Sequence, residues 1–193
     1  MPTGIFDLMI EYGADIRGMF DEYNILQEAA SNGNDAVIDI IIRLAPDLLN
    51  ALGKLGLSPL HLAAEYNDVA VVTKLLNLGA QVHVVNRFGS TVMHTAAWFG
   101  SPDVIPILAR HGAPINITVE KLPRRSPPQN WVPPLHHAIF AAKPNCLAVM
   151  EALIAAGASV SLPSSTGTLP IHAAAQKGNI AALTLLISHG ASQ

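Results

Sequence analysis

Gly89-Ser90-Thr91-Val92-Met93-His94-Thr95-Ala96-Ala97-Trp98-Phe99-Gly100 decides the fold, because the rest of the chain repeats it. Upstream stands Gly56-Leu57-Ser58-Pro59-Leu60-His61-Leu62-Ala63-Ala64-Glu65-Tyr66-Asn67. Downstream stands Gly167-Thr168-Leu169-Pro170-Ile171-His172-Ala173-Ala174-Ala175-Gln176-Lys177-Gly178. From Leu60 to Met93 the spacing is 33 residues. After the first two copies come the apolar helical stripes Val71, Val72, Leu75, Leu76 and Val104, Ile105, Ile107, Leu108. Gly-Ala then ends each unit, at Gly79-Ala80, Gly112-Ala113 and Gly190-Ala191. The recurring residues have physical work to do. Gly56, Gly89 and Gly167 suit a turn that needs a positive φ. Ser58 and Thr91 can cap free N–H groups at a helix start, and Pro59 pre-sets the first turn. Paired alanines, as at Ala63-Ala64 and Ala96-Ala97, let neighbouring helices approach closely.

These stretches resemble the ankyrin repeat, a unit of about 33 residues with a T-P-L-H-x-A core. The resemblance covers nearly the whole chain. It implies an all-α solenoid of stacked helix–turn–helix units with β-turn or hairpin fingers. About five full repeats plus an N-terminal half repeat are expected in a single domain, 1–193: a half repeat at 1–16, then repeats near 17–50, 51–83, 84–116, 117–161 and 162–193. Three departures stand out. Gln27 replaces the motif histidine in the first full repeat, and Ala45-Pro46 replaces Gly-Ala there. Pro106 falls inside an outer helix, where it is cheap only in the first turn. Between Met93 and Leu135 the spacing is 42 residues, nine beyond the period, with five prolines between 123 and 134; this predicts an extended Pro-rich insertion at 119–134. A smaller surplus lies near Ala142-Lys143-Pro144.

Composition sets bounds. Half of the 193 residues are apolar and 13% are charged, where roughly a quarter to a third is usual for a soluble surface. The net charge of −3 argues against nucleic acid as the partner. It is uneven: residues 1–50 hold nine acids and two bases, and 51–193 hold five acids and nine bases. The single cysteine, Cys146, excludes an internal disulfide and fits a reducing compartment. No apolar run approaches the ~18 residues of a membrane span, and no secretory leader is visible. An intracellular protein, cytoplasmic or nuclear, is expected. The helix expected over Ile180–Ser188 carries no charge, which points to further repeats in a longer solenoid or to dimerisation through that face.

The resemblance implies function through binding on a concave surface. In the family that surface is formed by the turn tips before each S/T-P-L-H segment and by the two residues after the paired alanines. By position, the candidates here are Leu55, Leu57, Arg87 and Phe88 at the tips and Glu65, Tyr66, Trp98, Phe99 and Phe140 on the inner helices, with Trp131 at the glycine site of the fourth turn. Six of the ten aromatic residues fall in this set, and rigid rings suit an interface hot spot. A protein or peptide partner is therefore expected, and no cofactor. A small apolar ligand in the same groove is the alternative; its acid–base candidates are His137, Glu65 and Asp103. A purely structural solenoid segment is the third reading. No catalytic motif is present, so no catalytic residue is assigned and an enzyme is not the expectation. His61, His94, His136 and His172 match the family's histidine, whose implied role is hydrogen bonding between turn and repeat. Packed helices lie about 8–10 Å apart, too far for equivalent histidines to share a metal with bonds of about 2 Å, so no metal site is expected. His83 and His137 lie off the pattern. Arg124-Arg125-Ser126-Pro127 fits a kinase site that phosphate would turn acidic.

Overall fold

The computed structural model of the chain describes residues 15–20, 22–117 and 132–191. The expected half repeat at 1–16 lies outside the described residues save its last two positions. So do Trp131, Arg124-Arg125-Ser126-Pro127 and most of the expected insertion. Its final residues are described: Pro133 precedes a helix and Pro134 opens it.

Inner and outer helices alternate along the chain. α1 (Ile25–Ser31) pairs with α2 (Asp35–Leu44), α3 (Pro59–Glu65) with α4 (Val69–Asn77), and α5 (Val92–Phe99) with α6 (Ile105–Arg110). α7 (Pro134–Ala141) pairs with α8 (Cys146–Ala155), and α9 (Pro170–Gln176) with α10 (Ile180–Ser188). The odd-numbered helices stack side by side as an inner row, and α4, α6, α8 and α10 follow as an outer row. Before α1, β1 (Met19–Phe20) and β2 (Tyr23–Asn24) form an antiparallel finger with Phe20 opposite Tyr23.

The helices begin where the sequence supplies caps. Asn24, Ser58 and Thr91 accept the backbone N–H three residues on, each completing a reciprocal capping box with Gln27, His61 or His94. Pro106 occupies the first turn of α6, where its missing N–H leaves no helical bond unmade. After α2 the chain turns at Ala45, and Pro46 starts a short 3₁₀ turn, Pro46–Asn50. The core is aliphatic: Leu60, Met93, Leu135 and Ile139 are at most 1% exposed, whereas Tyr23, Tyr66, Phe88, Trp98, Phe99 and Phe140 all stay at least partly exposed. Ala29-Ala30, Ala63-Ala64 and Ala96-Ala97 are all buried, as close helix approach requires. Ala182 is fully buried in α10, whereas Ile180 and Ile187 on the same helix are 76% and 59% exposed.

In each helix pair but the last, one side chain ties it to the next, and His172 in the last accepts, among the described residues, only from the Leu169 N–H. Nδ1 of His61 lies 2.8 Å from Ser58 Oγ and accepts the Ser58 N–H at 3.2 Å. Because Nδ1 accepts, the ring proton sits on Nε2, which donates to the Ser90 carbonyl of the following turn at 3.3 Å. His94 repeats the arrangement with Thr91 on one side and the Val132 carbonyl, 3.1 Å away, on the other. His136 donates to the Thr168 carbonyl at 2.8 Å. Gln27 does the same work with an amide: its Oε1 accepts from the Asn24 N–H and its Nε2 donates to the Leu57 carbonyl. The His94 bond shows that the chain re-enters the stack in register at Val132, whatever the length of the connection before it.

Candidate functional site

The fingers are five-residue turns. Asn86 donates to Ser90 and accepts from Gly89 through its backbone, and residues 53–57 and 164–168 repeat the pattern. The Asn86 carboxamide oxygen also accepts from the Phe88 and Ser90 N–H groups at 2.9 and 3.0 Å, which fixes the tip that carries Phe88. Adjacent fingers are joined by the Arg87 N–H donating to the Leu55 carbonyl at 2.9 Å. That approach leaves no space at Gly56, which has φ of +72° and where a Cβ would lie 3.0 Å from the Arg87 nitrogen. Phe88 and Leu55 are thereby presented from neighbouring tips toward the inner helices.

A pocket of about 440 Å³ opens in the angle between these fingers and the inner row. Leu55 and Leu57 line it from one finger, Asn86, Phe88 and Ser90 from the next, and Tyr23 from β2. Thr95, Trp98 and Phe99 share one face of α5, at the i, i+3, i+4 spacing of helical neighbours, and complete the wall with His94. Glu65 enters from the end of α3 and His137 from α7.

The charges here follow from burial. Desolvation pushes His94 down to about 3, with the neighbouring His137 lowering it further against its bond to the Val132 carbonyl. His137 is lowered to about 4, again by desolvation first, opposed by a hydrogen bond to the His94 backbone. Both rings are therefore neutral at pH 7. They stand edge to face with centroids 4.9 Å apart, and His137 meets Trp98 in the same manner at 5.7 Å. Nδ1 of His137 has no hydrogen-bond partner. Burial raises the Glu65 carboxyl above its ordinary value. It also raises the Tyr23 phenol, helped by the negative charges of Glu65, Glu22 and Glu28. Among the described residues of the lining, Glu65 carries the one carboxylate, and no lysine or arginine joins it.

Leu55, Leu57, Glu65, Phe88, Trp98 and Phe99, all candidates from the sequence, come together at this pocket. Phe88 is 70% exposed, Trp98 44% and Phe99 42%. Leu57 is only 8% exposed, because its position before the cap turns inward; its carbonyl serves the Gln27 tie. Tyr66 is exposed at the C-cap that follows Glu65, outside the lining, and Arg87 is exposed at its finger tip. Phe140 lies one repeat away beneath Lys177, whose Nζ sits 5.8 Å from the ring centroid. Trp131 lies outside the described residues. Asp103 does not line the pocket and is held by Asn67. Tyr23, Asn86, Thr95 and His137 were not among the partner-binding candidates. Tyr23 precedes its cap as Leu57 and Ser90 do, and the α5 periodicity points to Thr95. His137 stands where Thr95 stands one repeat earlier. Among the described residues no cluster of His, Cys, Asp or Glu could hold a metal ion, and no helix is long and apolar enough to cross a membrane.

Comparison with known proteins gives the same architecture. A family model described as ankyrin repeats (3 copies) matches residues 26–119, and another described as ankyrin repeats (many copies) matches residues 135–187. The chain is similar to the intracellular phospholipase A2 of Caenorhabditis elegans, at 26% identity over 90% of this chain and 16% of that protein. It is similar to the nuclear factor NF-kappa-B p105 subunit of Gallus gallus, at 26% identity over 86% of this chain and 17% of that protein. Neurogenic locus notch homolog protein 2 of Homo sapiens matches at 27% identity over the full chain and 7% of its own length. The chain thus spans less than a fifth of each of these relatives. Ankyrin repeats are in general protein–protein interaction modules, so a protein partner is implied. With both family models matched, with paired helices stacked through motif histidines, and with fingers on one side of the stack, the chain belongs to the ankyrin repeat family.

Proposed function

We propose that the chain is a non-catalytic binding module that holds a segment of a partner protein against the aromatic surface between its fingers and inner helices. The observation that carries this reading is the distribution of rings. The buried core is aliphatic, while Phe88, Trp98, Phe99 and Tyr66 are all more than two-fifths exposed. Rings partly left in water give the fold less than buried ones would, and each offers large contact area with little rotamer entropy lost on binding. Such a grouping supports recognition over scaffolding.

The test is capture of partners by wild type against Trp98→Ser with Phe99→Ser, with Trp131→Ser added as a third change. The double variant is expected to keep its melting temperature within a few degrees and to lose about 2 kcal/mol or more of binding, roughly thirty-fold. Unfolding of the double variant would show that the rings stabilise the core, and would remove the reading.

A second reading is a small apolar ligand in the same pocket. Its volume of about 440 Å³ falls in the range of roughly 300–1,000 Å³ typical of small-molecule sites. His137, with its unpartnered Nδ1, would supply a polar contact. Small molecules extracted from the captured wild type and absent from the double variant would favour it.

A further inference from the structure

The pocket is apolar on nearly every side, yet it contains a carboxylate. Glu65 lines it among Trp98, Phe88 and Tyr23, and no ion pair among the described residues uses it. Those pairs engage Asp47 through Arg17, and Asp35 and Asp39 through Lys74. A carboxylate half withdrawn from water without a counter-charge is costly, and a cation placed beside it recovers that cost. Glu22 and Glu28 add to the same field, since both act on the Tyr23 hydroxyl as Glu65 does. The imidazoles that share the lining are neutral and do not cancel it. Lys54 and Arg87 are exposed at the finger tips, and neither lines the pocket. Ring faces attract cations as well, most strongly where water is excluded and most of all at tryptophan.

Resting on the reading of this surface as a peptide-binding face, we propose that the pocket takes a cationic side chain, a lysine or arginine, from an extended basic segment of the partner, with the charged head at Glu65 and the aliphatic stem along Phe88, Trp98 and Leu55. The two heads differ in what they gain. Arginine stacks on rings and pairs with both carboxylate oxygens, whereas lysine brings a compact charge on a flexible stem.

The test uses nonapeptides with random flanks and a fixed centre of lysine, arginine, norleucine or glutamate. Binding is read against the full chain as wild type, Glu65→Gln, Glu65→Lys and a remote control, Glu151→Gln on α8. Each variant is first checked for an unchanged thermal midpoint. Wild type and control are expected to prefer lysine or arginine centres over norleucine by about ten-fold or more. Comparison of the two cationic sets identifies the head group. The preference should collapse to near unity in Glu65→Gln and turn toward glutamate in Glu65→Lys. Norleucine bound as tightly as lysine by wild type, or a lysine preference that survives Glu65→Gln, would overturn the cation assignment while leaving the peptide-binding surface intact. Absence of binding by every peptide set, with the Trp98 indole resonance unmoved, would overturn both.

Discussion

A histidine whose Nδ1 accepts and whose Nε2 donates serves the stack only while it is neutral. Burial enforces this, lowering His61 to about 4 and His94 to about 3. The unfolded chain takes up protons near pH 6.5, its ordinary histidine value, which the folded chain refuses until the pH is far lower. The stability these groups confer is therefore complete above about pH 6.5 and is lost as pH falls toward 4, by about 2–3 kcal/mol for each fully buried ring. Urea unfolding should show a flat midpoint above neutrality and a steady decline below about pH 6. Gln27 makes the same two bonds with a group that does not titrate. His61→Gln should consequently stay within about 1 kcal/mol of wild type at pH 7.5 and flatten the acid decline. His61→Ala should lose about 2–3 kcal/mol, because the buried Ser58 N–H loses its acceptor and a cavity replaces the ring, while the Ser90 carbonyl keeps only its bond from the Asn86 N–H. Backbone strain offers a second residue-level measurement. Ala142 has φ of +48° at the end of α7, where Gly100 has +85° at the end of α5. Ala142→Gly should raise stability by about 1 kcal/mol in the same assay, the left-handed cost less the entropy gained by the unfolded chain.

The helix that departs furthest from its siblings is α7. It begins after Pro133, which has no hydroxyl and no N–H, so the cap that Ser58 and Thr91 provide is missing. Nδ1 of His136 is buried without a partner as a direct result. Pro133→Ser should restore both bonds and stabilise the protein by roughly 0.5–1 kcal/mol, seen as a higher midpoint in thermal unfolding; a lower midpoint would mean that the proline ring packs in a way a serine does not replace. Elements were legible in the sequence wherever a repeating residue has a local job. Leu60 and Met93, one period apart, are both core, and the αL position at the finger glycine appears at Gly56 and Gly89 with φ of +72° and +75°. The site was legible only in part, because it is formed by different repeats reaching toward one another. Position along a repeat singled out Trp98 and Phe99 as candidates, and both line the pocket from α5. It did not separate Tyr66, which is exposed but outside the pocket, from Glu65, which is inside. Nor could it place Phe140 under Lys177, a contact made by the succeeding repeat.

At the scale of the molecule, the last described repeat leaves apolar side chains in water. Ala30, Ala64 and Ala97 are covered by the repeat that follows, but Ala175 in α9 is exposed, as are Ile180 and Ile187 on α10. Exposed apolar patches of this kind promote association. Ile180→Glu with Ile187→Lys should suppress concentration-dependent self-association in sedimentation velocity without lowering the melting temperature. A charge at Ala182 should instead unfold α10, since that side chain is fully buried. The bond from His94 to the Val132 carbonyl reaches further than local packing. Register between α5 and α7 is held through space, across a connection whose length matters only through a slowly growing closure entropy. The stack therefore has a means of setting this register that does not run through the covalent link. Two separate polypeptides divided within 118–131 should reassemble as complementing fragments, the shorter one folding only on the template of its partner, and the native junction becomes a place where a foreign domain can be spliced in or a reporter reconstituted.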